Sequence, residues 1–267
     1  MRCRRLMSVG NPNAGEGLRV LIRCGRCLGC RVYHQRAWTL RMLMEQRSNV
    51  LTSFMTLTYA DPVPSDPLGL PRITKFWKRF RKSTPATVRY FYCGEYGSRT
   101  NRPHFHAVVF GWAGQPGFSQ LTEWPHGFVH CGDATPASMA YVAKYALKSC
   151  VGLGAPHVVR MSRRPGLGLA ALEEVGASLG REYREVEQLP TWLRVGARWY
   201  PLDRRARLSV ASGFARAGGL VGVSTRSPLG LDLQAHLIDK WGAHLGPDLE
   251  VGRLKKIRIR ELERGKA

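Results

Sequence analysis

The sequence predicts an α+β fold, a central antiparallel sheet with helices packed on it. Three observations carry this expectation. Segments 32–47, 72–82 and 136–149 repeat apolar residues at helical spacing. Segments 53–59, 87–93 and 104–110 are rich in β-branched and aromatic residues, and 127–131 adds a shorter one. Several of these strands are separated by loops alone, which suits antiparallel neighbours with helices on one face.

The first helix, 32–47, places Tyr33, Ala37, Leu40 and Met44 on one side. Ser53 to Tyr59 reads as a strand. A Pro-rich loop from Asp61 to Pro71 follows it. It opens the helix at 72–82, where Ile73, Phe76, Trp77 and Phe80 form an apolar stripe. Arg72, Lys75, Lys78, Arg79, Arg81 and Lys82 fill the remainder, a face suited to solvent or to DNA backbone. Strand 87–93 leads through a turn at Gly94 to Pro103 into strand 104–110. Pro136 suits the first turn of the helix at 136–149. Beyond 151 Gly and Arg increase and periodicity weakens. There 194–202 reads as one strand and 250–264 as a basic helix. This suggests three parts: a Cys-rich arm and first helix (1–50), a core (51–155) and a basic C-terminal region (156–267).

The chain of 267 residues carries 41 Lys and Arg against 19 Asp and Glu, a net charge of +22. Apolar residues make up 44%, too many for a disordered basic tail. No run of about 18 apolar residues suggests a membrane span. Met1-Arg2-Cys3-Arg4-Arg5 leads into Gly, Pro and Asn, unlike a signal peptide. Residues 1–150 hold 21 basic and 7 acidic residues, so the excess is spread along the chain. A polyanion is the expected partner, nucleic acid before a membrane surface, because neutralised phosphates release counterions.

Three of the seven cysteines, Cys24, Cys27 and Cys30, follow a Cys-x-x-Cys-x-x-Cys pattern. Such turns present thiolates to one ion, and tetrahedral zinc takes four ligands. Cys3 is the nearest fourth candidate; Cys93, Cys131 and His34 are alternatives. An odd cysteine count argues against a disulfide framework. Buried free thiols or a redox pair are the plainer accounts.

His104 and His106 flank Phe105 in a predicted strand, so both imidazoles share a face. They make half of a divalent-metal site, though such pairs also occur as ordinary structural histidines. Glu95, ending the previous strand, is the favoured third ligand; Gln115 and His126 are rivals. Tyr141 and Tyr145 stack on one helical face with Lys144 and Lys148 beside them. Tyrosines so placed are commonly packing residues, but a phenol assisted by a metal or base is also a nucleophile toward phosphorus.

Phe-Met-Thr-Leu-Thr-Tyr at 54–59, Arg-Pro-His-Phe-His at 102–106 and Tyr-Val-Ala-Lys-Tyr at 141–145 occur in this order. They resemble the three motifs of HUH rolling-circle replication initiators. Cys-Gly-Glu-Tyr-Gly (93–97), Ser-Arg-Arg-Pro-Gly-Leu-Gly (162–168) and the N-terminal cysteines resemble the initiators of gokushovirus-type microviruses. The likeness covers about residues 1–168, and Arg198 to Leu202 more loosely.

The resemblance implies an HUH endonuclease-like sheet. It also implies an enzyme of the bacterial host cytoplasm that nicks one strand at the origin of a circular viral genome. A tyrosine forms a 5′-phosphotyrosine link and frees a 3′-OH for the host polymerase. A second tyrosine cleaves the regenerated origin, and rejoining closes the circle without ATP. Tyr141 and Tyr145 would be the nucleophiles, with Lys144 at the phosphate. His104, His106 and Glu95 would hold Mg²⁺ or Mn²⁺, and imidazole favours the latter. Cys3, Cys24, Cys27 and Cys30 would hold structural Zn²⁺. Arg72, Lys75, Lys78, Arg79 and Lys148 would contact DNA, both the single-stranded origin and the duplex replicative form. Thr56 and Thr58 are expected to be structural or DNA-contacting. No Gly-x-x-x-x-Gly-Lys-[Ser/Thr] loop occurs, so a host helicase would unwind the duplex. Two other readings compete. One is a non-catalytic, zinc-stapled viral protein that coats nucleic acid. The other is a relaxase or transposase with the same chemistry.

Overall fold

The computed structural model describes residues 3–10, 19–97, 99–151, 158–186 and 188–221. They form two compact units. The first contains the chain up to Met42 and Asn49–Arg163; the second contains Leu43–Ser48 and the described chain from Arg164.

In the first unit, β1 (Met7–Gly10) and β2 (Arg19–Ile22) form an antiparallel hairpin. Helix α1 (Leu28–Arg47) follows, its last residues belonging to the second unit. Then come β3 (Thr52–Thr58), α2 (Leu70–Ser83), β4 (Arg89–Tyr96), β5 (Pro103–Phe110), β6 (Gly117–Ser119), β7 (Val129–Asp133), α3 (Pro136–Val151) and β8 (Val158–Met161). Six strands make one sheet in the order β6-β7-β3-β5-β4-β8, with every pairing antiparallel. The expected α+β class with an antiparallel sheet is what the chain forms.

Helices cover both faces of this sheet. Strand alternation sends Met55, Leu57, Phe105, Ala107 and Tyr92 to one face, where α2 lays Ile73, Phe76, Trp77 and Phe80 against them. Aromatic edges tie this layer: Phe76 and Phe105 both meet Trp124 edge-on. The other face carries His104, His106, Glu95 and Phe91. There α1 places Trp38 5.3 Å from Phe91, and α3 places Tyr141 5.2 Å from His106. Gln35 of α1 also donates to the Ala140 carbonyl of α3 at 2.8 Å.

The second unit contains α4 (Leu169–Glu182), β9 (Glu185–Val186), β10 (Trp192–Val195), β11 (Arg198–Pro201), α5 (Arg204–Arg216) and β12 (Leu220–Val221). The single strand expected at 194–202 is instead the hairpin β10–β11, with Gly196 at φ 55° in its turn. Helices α4 and α5 go beyond what the sequence pattern predicts, and glycine explains why. A Cβ on Gly176 would strike the Val210 carbonyl, and one on Gly213 the Glu173 carbonyl. The two backbones approach through missing side chains rather than through a stripe of large apolar ones. The helix expected at 250–264 lies outside the described residues. None of the described helices is long and apolar enough to cross a membrane.

Candidate metal centre and tyrosine pair

The site is assembled by strand register. Glu95 on β4 pairs with His104 on β5, and Cys93 pairs with His106. On the other side of β5, Thr58 pairs with His104 and Thr56 with His106. Period-two alternation puts all of these on the face under α3. Gly94, between Cys93 and Glu95, points the opposite way, where the Phe105 ring takes its place: a Cβ there would lie 2.7 Å from Phe105 Cε1.

Three side chains converge on one oxygen. Glu95 Oε1 lies 3.3 Å from His104 Nε2 and 3.4 Å from His106 Nε2, and Tyr141 donates its hydroxyl to it at 3.0 Å. The outer nitrogens are anchored. His104 Nδ1 is 3.0 Å from the Arg102 carbonyl, which can accept only, so Nδ1 carries the proton. His106 Nδ1 is 2.9 Å from Thr56 Oγ1, and Phe54 stacks on its ring at 5.4 Å. In a neutral His104, Nε2 therefore turns a lone pair toward a carboxylate oxygen. Two acceptors at 3.3 Å repel each other unless a cation, a proton or a metal ion, lies between them.

The ligand atoms of Glu95, His104 and His106 lie within 4.8 Å of one another. Metal–ligand bonds near 2.1 Å space neighbouring donors by roughly 3.0–3.5 Å, so the donor set fits a divalent ion. Glu95 is only 4% exposed. Burial would raise its pKa, but hydrogen bonds from His104, His106, Tyr145 and Tyr141 outweigh it and hold the carboxylate well below its ordinary range. Burial lowers both histidines; for His104 the Glu95 hydrogen bond reverses the sign, whereas His106 stays lowered.

Helix α3 brings the tyrosines. Thr135 and Ser138 cap it reciprocally, Ser138 N donating to Thr135 Oγ1 at 3.1 Å and Thr135 N to Ser138 Oγ at 2.8 Å. That cap fixes where the helix starts and so which face Tyr141 and Tyr145 present. Tyr145 donates to the Tyr141 hydroxyl at 3.1 Å, and Tyr141 passes the chain on to Glu95. Tyr141 is 40% exposed and Tyr145 5%. Burial raises the pKa of both phenols.

A second group lies at the N-terminus. The four Sγ atoms of Cys3, Cys24, Cys27 and Cys30 lie within 4.8 Å of one another. Cys3–Cys24, Cys24–Cys30 and Cys27–Cys3 are 3.7, 3.9 and 3.9 Å apart. Tetrahedral zinc with bonds of about 2.3 Å spaces its sulfurs by roughly 3.8 Å, so this set fits zinc. Backbone amides of Arg4 and Cys30 pull the Cys27 thiol down to about 6, while burial pushes Cys30 up to about 12. Among the alternatives, Cys93 lies in β4, Cys131 in β7, and His34 packs edge-on against Tyr33. None of them joins the group.

Other expected residues fall elsewhere. Lys144 is exposed on α3, and Lys148 is in the same helix with its side chain outside the described set. Lys75 and Lys78 are exposed on α2, which covers the sheet face opposite the histidines. Arg72 donates to the Asp66 carbonyl and Arg79 to the Glu123 carbonyl. Gln115 is exposed before β6, and His126 packs against Trp124; neither reaches Glu95's group. Sequence reasoning misses the hold of Thr56 on His106. Its signal is the Thr-x-Thr alternation, which gains meaning once the β3–β5 register is known.

Fold and site together define a class: an α+β domain whose sheet can hold a cation between two histidines and a glutamate, with a phenol against the carboxylate. Residues 52–150 match a family model of replication-associated proteins, the one described by the ORF2 protein. The chain is 32% identical over 183 residues to Replication-associated protein ORF2 of Spiroplasma virus 4, covering 55% of this chain and 56% of that protein. It is 31% identical over 149 residues to Replication-associated protein VP4 of Bdellovibrio phage phiMH2K, 47% of each. It is 28% identical over 154 residues to Replication-associated protein ORF4 of Chlamydia phage 1, 48% of this chain and 38% of that one. The chain thus spans about half the length of the curated relatives it matches. No solved structure matches it significantly. The resemblance to microvirus-type replication initiators, carried first by the motifs, stands in these comparisons as well.

Proposed function

We propose that this chain is a replication initiator with an HUH endonuclease-like core. It nicks one strand of a circular viral DNA through a 5′-phosphotyrosine and later rejoins the ends. The observation that carries this is the meeting of Tyr141 with the Glu95–His104–His106 group, since a merely DNA-coating protein needs no phenol at a cation site. A divalent ion there, Mg²⁺ or Mn²⁺, would draw charge from the scissile phosphate. Glu95, His104 and His106 would hold it, with Thr56 and the Arg102 carbonyl fixing the rings. The Tyr141 oxygen would attack phosphorus, and the 3′ oxygen would leave to take a proton. Lys144 would meet the phosphate from the exposed side of α3. Zinc on Cys3, Cys24, Cys27 and Cys30 would tie the start of the chain to the head of α1.

Replication in the host cytoplasm would then draw on a host helicase and polymerase. The substrate would be the single-stranded origin, exposed in the duplex replicative form. Arg72, Lys75, Lys78, Arg79 and Lys148 are proposed as backbone contacts away from the reacting atoms. The test uses single-stranded oligonucleotides tiled along the viral strand, with Mn²⁺. One of them should give a protein–DNA adduct that survives denaturant and is absent with EDTA. An adduct that persists in the doubly substituted Tyr141→Phe/Tyr145→Phe protein would overturn the assignment.

A further inference from the structure

The two tyrosines are four residues apart on one helix, yet they are not equivalent. Tyr141 is 40% exposed, and its hydroxyl lies 3.0 Å from Glu95 Oε1. Tyr145 is 5% exposed and sits behind it, donating to the Tyr141 hydroxyl at 3.1 Å. The rings meet edge-on with centroids 5.2 Å apart. A phosphate entering from solvent meets the Tyr141 oxygen first. Reaching Tyr145 requires displacing Tyr141.

Resting on the function proposed above, we infer that the tyrosines act in a fixed order: Tyr141 attacks first, while Tyr145 positions it, and Tyr145 becomes a nucleophile only after Tyr141 is consumed. The donated hydrogen bond holds the Tyr141 hydroxyl in line between Glu95 and solvent, and it stabilises negative charge growing on that oxygen. In the first step the Tyr141 Oη–P bond forms and the P–O3′ bond breaks. Tyr141 gives up its phenolic proton, and the departing 3′ oxygen gains one.

The esterified oxygen can no longer donate to Glu95 and is a poorer acceptor for Tyr145. Tyr145 is then the one unesterified phenol of the pair. On the regenerated origin its Oη–P bond forms and a second P–O3′ bond breaks. The new 3′-OH attacks the Tyr141 phosphodiester, which restores a P–O3′ bond and the Tyr141 hydroxyl. No oxidant or nucleotide is consumed. The order is thus set by burial and by one hydrogen bond, and it resets with each closed circle.

Two measurements test this. Lys144 lies between the tyrosines, so trypsin separates them: Tyr141 stays on the fragment ending at Lys144, and Tyr145 begins the next. Under single turnover with Mn²⁺ and the tiled oligonucleotides, the nucleotide mass should sit on the Tyr141 fragment. Tyr141→Phe should cut the single-turnover adduct by about 100-fold or more. Tyr145→Phe should keep it within about tenfold while losing rejoined product. An adduct on the Tyr145 fragment, or near-normal yield from Tyr141→Phe, would overturn the order but leave the nickase reading intact. No adduct from the unmodified protein with any oligonucleotide would bring down both. The second measurement needs neither DNA nor metal. Nitration of the resting protein with tetranitromethane should reach Tyr141 well before Tyr145, and equal rates would overturn the inference.

Discussion

At the scale of single residues, the chemistry gathers on Glu95 Oε1, within hydrogen-bonding range of two imidazoles and a phenol. The His pair and the glutamate are readable in advance because strand period and antiparallel pairing are simple geometry. The role of Thr56 is not, since it depends on pairing with a strand 50 residues later. That contact predicts a measurable effect. Thr56→Val keeps the shape but removes the partner of His106 Nδ1, and Mn²⁺ affinity should fall about 10–100-fold. Thr56→Ser should restore most of it, and titration followed by electron paramagnetic resonance reads both. The carboxylate also shapes acid stability of the metal-free protein. Its folded pKa lies below the unfolded one, so its stabilisation is present above the ordinary carboxylate value of 4.5 and is lost as pH falls through the lower folded value. Glu95→Gln should flatten the acid limb of a denaturant-stability profile; an unchanged slope would remove Glu95 from that account.

At the scale of elements, what is legible follows from side-chain pattern, and what is not follows from its absence. Helix α2 announces itself through Ile73, Phe76, Trp77 and Phe80, all buried against the sheet. Helices α4 and α5 hide because glycines make their contact: Gly176, Gly180 and Gly213 lie where a Cβ would strike the facing helix. The basic face of α2 can be read, but its placement away from the histidines cannot, because a sequence does not say which sheet face a helix covers. The glycine contact gives a direct prediction. Gly213→Ala puts a methyl group into the Glu173 backbone and should cost about 1–3 kcal/mol by overpacking. The Tm of the second unit should fall, whereas Gly218→Ala, with open space around its Cβ but φ 82°, tests backbone strain alone. At the other end, the cysteine group joins the β1–β2 hairpin to the start of α1. Stripping the metal should release one zinc per chain and open roughly the first 30 residues to protease; an unchanged digestion pattern would deny the cysteines a structural ion.

At the scale of the whole molecule, the net charge of +22 and the site do different work. Charge draws in any nucleic acid, because each neutralised phosphate releases condensed counterions. Phosphate contacts position a strand without reading or cutting it. Cutting needs the convergence at Glu95, which occupies a few residues on one sheet face. The two should therefore separate experimentally. Replacing both His104 and His106 by Ala removes two ligand nitrogens and leaves all 41 Lys and Arg residues in place. Such a protein should still bind single-stranded DNA, and log K should fall with log salt at a slope of about −0.7 per phosphate contact, as in the unsubstituted protein. It should form no covalent adduct at any Mn²⁺ concentration. Charge reversal of Lys75 and Lys78 should do the converse. These residues lie on α2, across the sheet from the tyrosines, so the salt slope should become shallower while saturating DNA still yields adduct. Fluorescence anisotropy across a salt series, run beside denaturing gels of the same samples, measures both quantities. A double-histidine variant that loses binding as well as cleavage would show that the metal centre also holds the DNA, and the assignment of affinity to charge alone would fall.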